Sequence, residues 1–141
     1  MNKTGVIIII EDDPDDQCLL EDAFCELDLP NERLYFKDGD AVLDYFTYFK
    51  GPIFLILSDI RMPRLNGMEL QAALRKDADV ALRCVPYLFL TTTLNHQQVV
   101  DAYSKSSQGF FEKPGDFQQL RELLRIITSY WSNSATVEIF A

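Results

Sequence analysis

Histidine is almost missing from this chain: His96 is the only one among 141 residues. It follows Asn95, a reasonable helix N-cap, so it reads as surface at a helix start rather than as a phosphotransfer histidine. Cysteine occurs three times, at Cys18, Cys25 and Cys84, with no CxxC spacing. That odd, unpaired set speaks against a disulfide framework or a zinc site and for a reducing compartment. Cys18 and Cys25 lie seven apart in a helical pattern and are expected to share a face as small core residues. No apolar stretch approaches membrane length. "VIIII" (6–10) is cut off by acids, too early for a span or a signal-peptide core, which implies a cytoplasmic protein. Neither a GxxxxGK[ST] loop nor a dinucleotide fingerprint is present, so ATP is not gripped in the P-loop manner. Lysine and arginine total 13 against 22 acids, a net charge of −9. That balance repels polyanions, which excludes nucleic acid and anionic membrane as default partners, and it suits a bound divalent cation.

What is present is a regular alternation. Three runs are apolar without interruption: "VIIII" (6–10), "FLIL" (54–57) and "YLFL" (87–90). Such runs suit strands covered on both faces, as in parallel sheets. "RLYF" (33–36) and "GFFE" (109–112) are weaker strand candidates. Helical stripes lie between and after them: Leu20, Phe24 and Leu27; Val42, Leu43, Tyr45 and Phe46; Met68, Leu70, Ala73 and Leu74; Val99, Val100 and Tyr103; and Phe117, Leu120, Leu123, Leu124 and Ile127. Strand then helix, five times over, predicts an α/β three-layer, doubly wound fold with a five-stranded parallel sheet. The chain reads as one domain over 1–141, with a core of about 4–130 and a tail at 132–141.

Ligands of open parallel sheets sit beyond the carboxyl ends of the strands. Glu11, Asp12 and Asp13 follow the first apolar run, Asp59 the third strand, Thr91 to Thr93 the fourth, and Lys113 with Pro114 the fifth. Carboxylates, hydroxyls and an ammonium therefore land on one edge. Carboxylates that converge repel one another unless a cation joins them. Oxygen ligands without imidazole or thiolate favour Mg²⁺, with Mn²⁺ as a substitute. A carboxylate there can act as a nucleophile and form an acyl phosphate.

The segment "LSDIRMPRLNGMEL" (57–70) resembles the signature of response regulator receiver domains, with Asp59, Met62-Pro63 and Gly67 at the family spacing. "GFFEKP" (109–114) and "FLTTT" (89–93) are similar to the family's later motifs, and the likeness spans about 4–130. The resemblance implies a CheY-like, flavodoxin-like sheet of order 2-1-3-4-5. It implies that Asp59 accepts a phosphoryl group from a histidine kinase or a histidine phosphotransfer protein. It makes Asp12 a direct Mg²⁺ ligand and Glu11 a ligand through water, with Asp59 and the backbone carbonyl of Arg61 completing the metal set. Thr91 and Lys113 would each hold a phosphoryl oxygen, and Phe110 would be the aromatic that moves with Thr91. The Lys113–Pro114 bond is a candidate cis peptide. Phosphorylation would alter the face built from the fourth and fifth strands and the helices that follow them. Gln97, Gln98, Tyr103, Gln118, Gln119 and Arg121 are among its polar residues. That implies a standalone switch, monomeric or weakly dimeric, acting on a downstream protein and catalysing only its own phosphorylation and dephosphorylation. Four departures from the family pattern stand out: Glu11 as first acid, Thr92 where a small residue is frequent, Arg61 and Thr93 at positions associated with dephosphorylation rate, and Phe110 without a hydroxyl.

The run "EDDPDD" (11–16) then divides. Glu11 and Asp12 belong to the cation. Asp13 is expected as an N-cap, with Pro14 at N1 and Asp15 and Asp16 as solvated acids in the first turn. Asp13 stands as the other ligand should the register slip by one. Two rival readings remain, a Mg²⁺ phosphohydrolase with an aspartyl nucleophile and a receiver-like scaffold that is never phosphorylated. Arg61, standing where the hydrolase's helper acid belongs, weighs against the first. The intact acids, Thr91 and Lys113 weigh against the second.

Overall fold

The computed structural model describes residues 3–48, 51–60, 67–76, 84–92, 97, 99–101 and 108–135. Arg61, Met62, Pro63, Arg64, Thr93, Asn95, His96, Gln98, Tyr103 and the tail from 136 lie outside them. The elements run β1 (Val6–Ile10), α1 (Pro14–Glu26), β2 (Arg33–Phe36), α2 (Gly39–Tyr48), β3 (Ile53–Ser58), α3 (Gly67–Arg75), β4 (Tyr87–Thr91), β5 (Gly109–Glu112) and α4 (Phe117–Ser132). Residues 99–101, between β4 and β5, are helical as well. The five strands are parallel and ordered β2-β1-β3-β4-β5, as expected.

The apolar runs become strands because the sheet is covered on both faces. Along β1 the side chains alternate between two cores. Ile8 and Ile10 join Val42, Phe46, Leu70 and Leu74 of α2 and α3. Ile7 and Ile9 join Leu20, Phe24, Leu120 and Leu124 of α1 and α4. Each fully buried side chain of this size contributes roughly 1.5–3 kcal/mol. β3 extends one residue beyond its apolar run at each end, to Ile53 and Ser58.

α1 starts where Asp13 caps it: the Asp13 carboxylate accepts the Asp15 N–H at 2.9 Å, with Pro14 in the first turn. It stops at Leu27, beyond which Asp28 takes a left-handed φ of 56°. The expected core role of two cysteines fails. Cys18 and Cys25 are exposed, because the sheet-facing stripe of α1 is Leu20, Ala23 and Phe24. Their spacing of seven does put them on one face, but it is the outer one. Among the described residues no helix is long and apolar enough to cross a membrane.

Candidate functional site

The site is built at the carboxyl edge of the sheet by hydrogen bonds that fix its backbone. Glu11 leaves β1 with its N–H on the Phe36 carbonyl, at 2.9 Å, and its carbonyl accepting the Gln17 side-chain amide at 2.6 Å. Asp59, next door on β3, donates its N–H to the Ile10 carbonyl at 3.0 Å. Lys113 donates its N–H to the Thr91 carbonyl at 2.8 Å, which ties the end of β5 to that of β4. Parallel pairing thus aligns the strand ends and makes neighbours of Glu11, Asp59 and Lys113, which are far apart in sequence.

One oxygen from each of Glu11, Asp12 and Asp59 lies within 4.8 Å of the other two. Glu11 is 2% exposed and Asp59 9%, whereas Asp12 faces solvent. The Glu11 carboxylate accepts the Asp13 N–H at 3.1 Å and is paired with the Lys113 ammonium. Lys113 also reaches Asp16, at 3.2 Å. Asp16 is therefore not the solvated acid that the sequence suggested. The signal was its helix phase: once Pro14 sets N1, Asp16 and Gln17 share the first turn beside Glu11. Thr91 is buried at the end of β4, and Thr92 beyond it is exposed. Phe110 is half-buried, its ring centroid 5.8 Å from that of Phe89. The peptide before Pro114 is trans, not the candidate cis bond, and trans is the intrinsically favoured isomer of an X–Pro bond.

Burial pushes the Glu11 carboxyl up to about 7, against the pull of Lys113, and the Asp59 charge adds to the rise. Burial alone would lower the Lys113 ammonium, but Glu11, Asp16 and Asp59 outweigh it and hold it above its usual range. Convergent carboxylates with no imidazole or thiolate among them fit a hard divalent cation. Arg61, expected to add its backbone carbonyl, lies outside the described residues.

The model of the response regulator receiver domain matches residues 7–125. The chain belongs to the response regulator receiver family. Receiver relatives extend over nearly the whole chain. The probable methanogenesis regulatory protein FilR2 of Methanothrix harundinacea is 28% identical over 89% of this chain and 83% of its own. Response regulator Rcp1 of Synechocystis is 26% identical over 96% and 95%. A crystal structure of the Mn²⁺-bound form of response regulator Rcp1 shares the fold with a TM-score of 0.78 at 24% identity, covering 95% of this chain and 99% of that one. The chain is a response regulator receiver of two-component signalling. Receivers of this family interact with histidine kinases and with downstream effectors.

Two side chains beside the site were missed by the sequence reading. Ser58 was taken as part of a motif and Tyr87 as one more apolar strand residue. Both are buried and hydrogen-bonded next to Asp59.

Proposed function

We propose that Asp59 is the phosphoryl acceptor and that Mg²⁺ is the cation of this receiver. A carboxylate oxygen of Asp59 attacks the phosphorus of a phosphohistidine on a kinase or phosphotransfer protein. The P–N bond breaks, a P–O bond forms, and the imidazole leaves neutral once it has taken a proton. The observation that carries this reading is the convergence of Glu11, Asp12 and Asp59, one oxygen of each within 4.8 Å of the other two, with Lys113 paired to Glu11. An incoming phosphoryl group adds negative charge where three carboxylates already face one ammonium. A bound cation would supply positive charge and offset the negative charge of the transferring oxygens. Asp12, the solvent-facing acid, would hold the ion directly. Glu11, engaged by Lys113 and the Asp13 N–H, would hold it through water. Lys113 exchanges part of its contact with Glu11 and Asp16 for a phosphoryl oxygen, and Thr91 offers its hydroxyl to another.

The protein turns over no small substrate beyond its own phosphorylation and hydrolysis. It works in the cytoplasm, with Phe110 and Thr91 as the moving parts of the switch and a downstream protein as its reader. The test is incubation with acetyl phosphate and Mg²⁺ followed by intact-mass measurement. Wild type gains one hydroxylamine-labile phosphoryl group, and Asp59→Asn gains none. An unmodified wild type at every Mg²⁺ and Mn²⁺ concentration favours the scaffold reading instead.

A further inference from the structure

Next to Asp59 in the chain lies a buried polar cluster that the phosphorylation chemistry does not use. Ser58 is 1% exposed and Tyr87 is 1% exposed, both within the core between the sheet and α2 and α3. The Ser58 hydroxyl donates to the Asp59 carbonyl at 2.8 Å. The Tyr87 hydroxyl donates to the Gly67 carbonyl at 3.0 Å. The Ser58 side chain lies beside the Tyr87 hydroxyl. The Gly67 N–H donates to the Ile60 carbonyl at 3.2 Å, so the chain re-enters at α3 against the residue after Asp59. The approach is close enough that a Cβ on Gly67 would lie 2.4 Å from the Asp59 carbonyl oxygen and 2.9 Å from Ser58 Oγ. Only glycine permits that contact.

Hydroxyls are costly to bury, and an apolar core has no need of them at these places. Phenylalanine at 87 or alanine at 58 would keep the packing. What the hydroxyls add is a fixed position for the two ends of the segment that carries Asp59. Its N–H is held by Ile10, its carbonyl by Ser58, and the start of α3 by Tyr87. We infer that Ser58 and Tyr87 are positioning residues for phosphoryl transfer: a hydrogen-bonded clasp beneath Asp59 that sets the aim of its carboxylate without touching donor or cation. The inference rests on Asp59 being the acceptor.

The test measures the rate of phosphoryl-adduct formation with acetyl phosphate under saturating Mg²⁺ for wild type, Tyr87→Phe, Ser58→Ala and the double variant. Mg²⁺ half-saturation is measured by calorimetry and the folded fraction by circular dichroism. Tyr87→Phe is expected to form the adduct about three- to tenfold more slowly per folded molecule, the range of one lost hydrogen bond. Mg²⁺ half-saturation should stay within about twofold, because the carboxylates are untouched. The double variant should lose less than the product of the two single losses, since both act on one clasp. A purely structural role moves the folded fraction and leaves the rate per folded molecule unchanged. A wild type that is modified at Asp59, beside a Tyr87→Phe protein modified equally fast, overturns the clasp. A wild type that is not modified overturns the acceptor assignment first. Should Tyr87→Phe not fold, the same comparison on Ser58→Ala decides.

Discussion

Two acid–base pairs on this molecule share a composition and differ in almost everything else. Glu11 and Lys113 meet at the carboxyl edge of the sheet, with side chains 3% and 8% exposed. Glu21 and Arg33 meet on the flank between α1 and β2, 34% and 15% exposed. Arg33 grips Glu21 with several bonds, its Nη2 at 2.8 Å and its Nε at 2.9 Å, and anchors itself on the Asn31 carbonyl at 2.9 Å. That bonding holds the Glu21 carboxyl below the usual range, and burial opposes it only in part. At Glu11 the order reverses: burial dominates, and the carboxyl rises although a cation touches it. The flank pair is satisfied. Among the described residues the edge pair stands with more acids than cations, the condition of a group kept for a ligand rather than for stability.

The widest separation comes from removing each cation in turn. Lys113→Met is expected to slow adduct formation from acetyl phosphate by about a hundredfold, the scale of one lost charge-stabilising donor. Arg33→Met should leave that rate within about twofold and instead cost ~1–2 kcal/mol in urea unfolding. Equal rate losses in both would erase the distinction. The flank pair is then expected to show its own pH signature. Because the folded-state Glu21 pKa lies below the ordinary 4.5, the unfolded chain holds the proton more tightly. The stabilisation is complete above that value and fades as pH falls through the lowered one. Wild type should exceed Glu21→Gln by at most ~1 kcal/mol at neutral pH, with the gap closing in acid. A gap that widens in acid contradicts the sign. The finest test is Asp16→Ala, which leaves Lys113 its bond to Glu11 and the charge of Asp59. A slowing of no more than about threefold and a few tenths of a kcal/mol in stability are expected. By contrast Asp12→Ala should abolish Mg²⁺-dependent modification, so an equal loss in the two would break the division of the acidic run at Asp13.

The strands were legible because a parallel sheet covered on both faces demands uninterrupted apolar residues: "VIIII" became β1 with those very bounds, and "FLIL" and "YLFL" form the bodies of β3 and β4. The split of the acidic run was legible because proline at N1 forces a cap just before it. Cys18 and Cys25 were misplaced because periodicity identifies a shared face and not which way it points. Asp16 was misjudged because its partner, Lys113, is 97 positions away, and its helix phase, which sets it beside Glu11, says nothing of that lysine. Tyr87 hid in an apolar run: its ring obeys the pattern, and its hydroxyl answers to a carbonyl 20 residues earlier.

One feature of the edge bears on binding in another way. The main chain there is committed before anything arrives: Glu11 through Phe36 and Gln17, Asp59 through Ile10 and Ser58, Lys113 through Thr91. The loss of backbone freedom therefore happens when the chain folds. At these three positions a ligand has only side-chain rotamers left to order, which lowers the entropy that its contacts must offset.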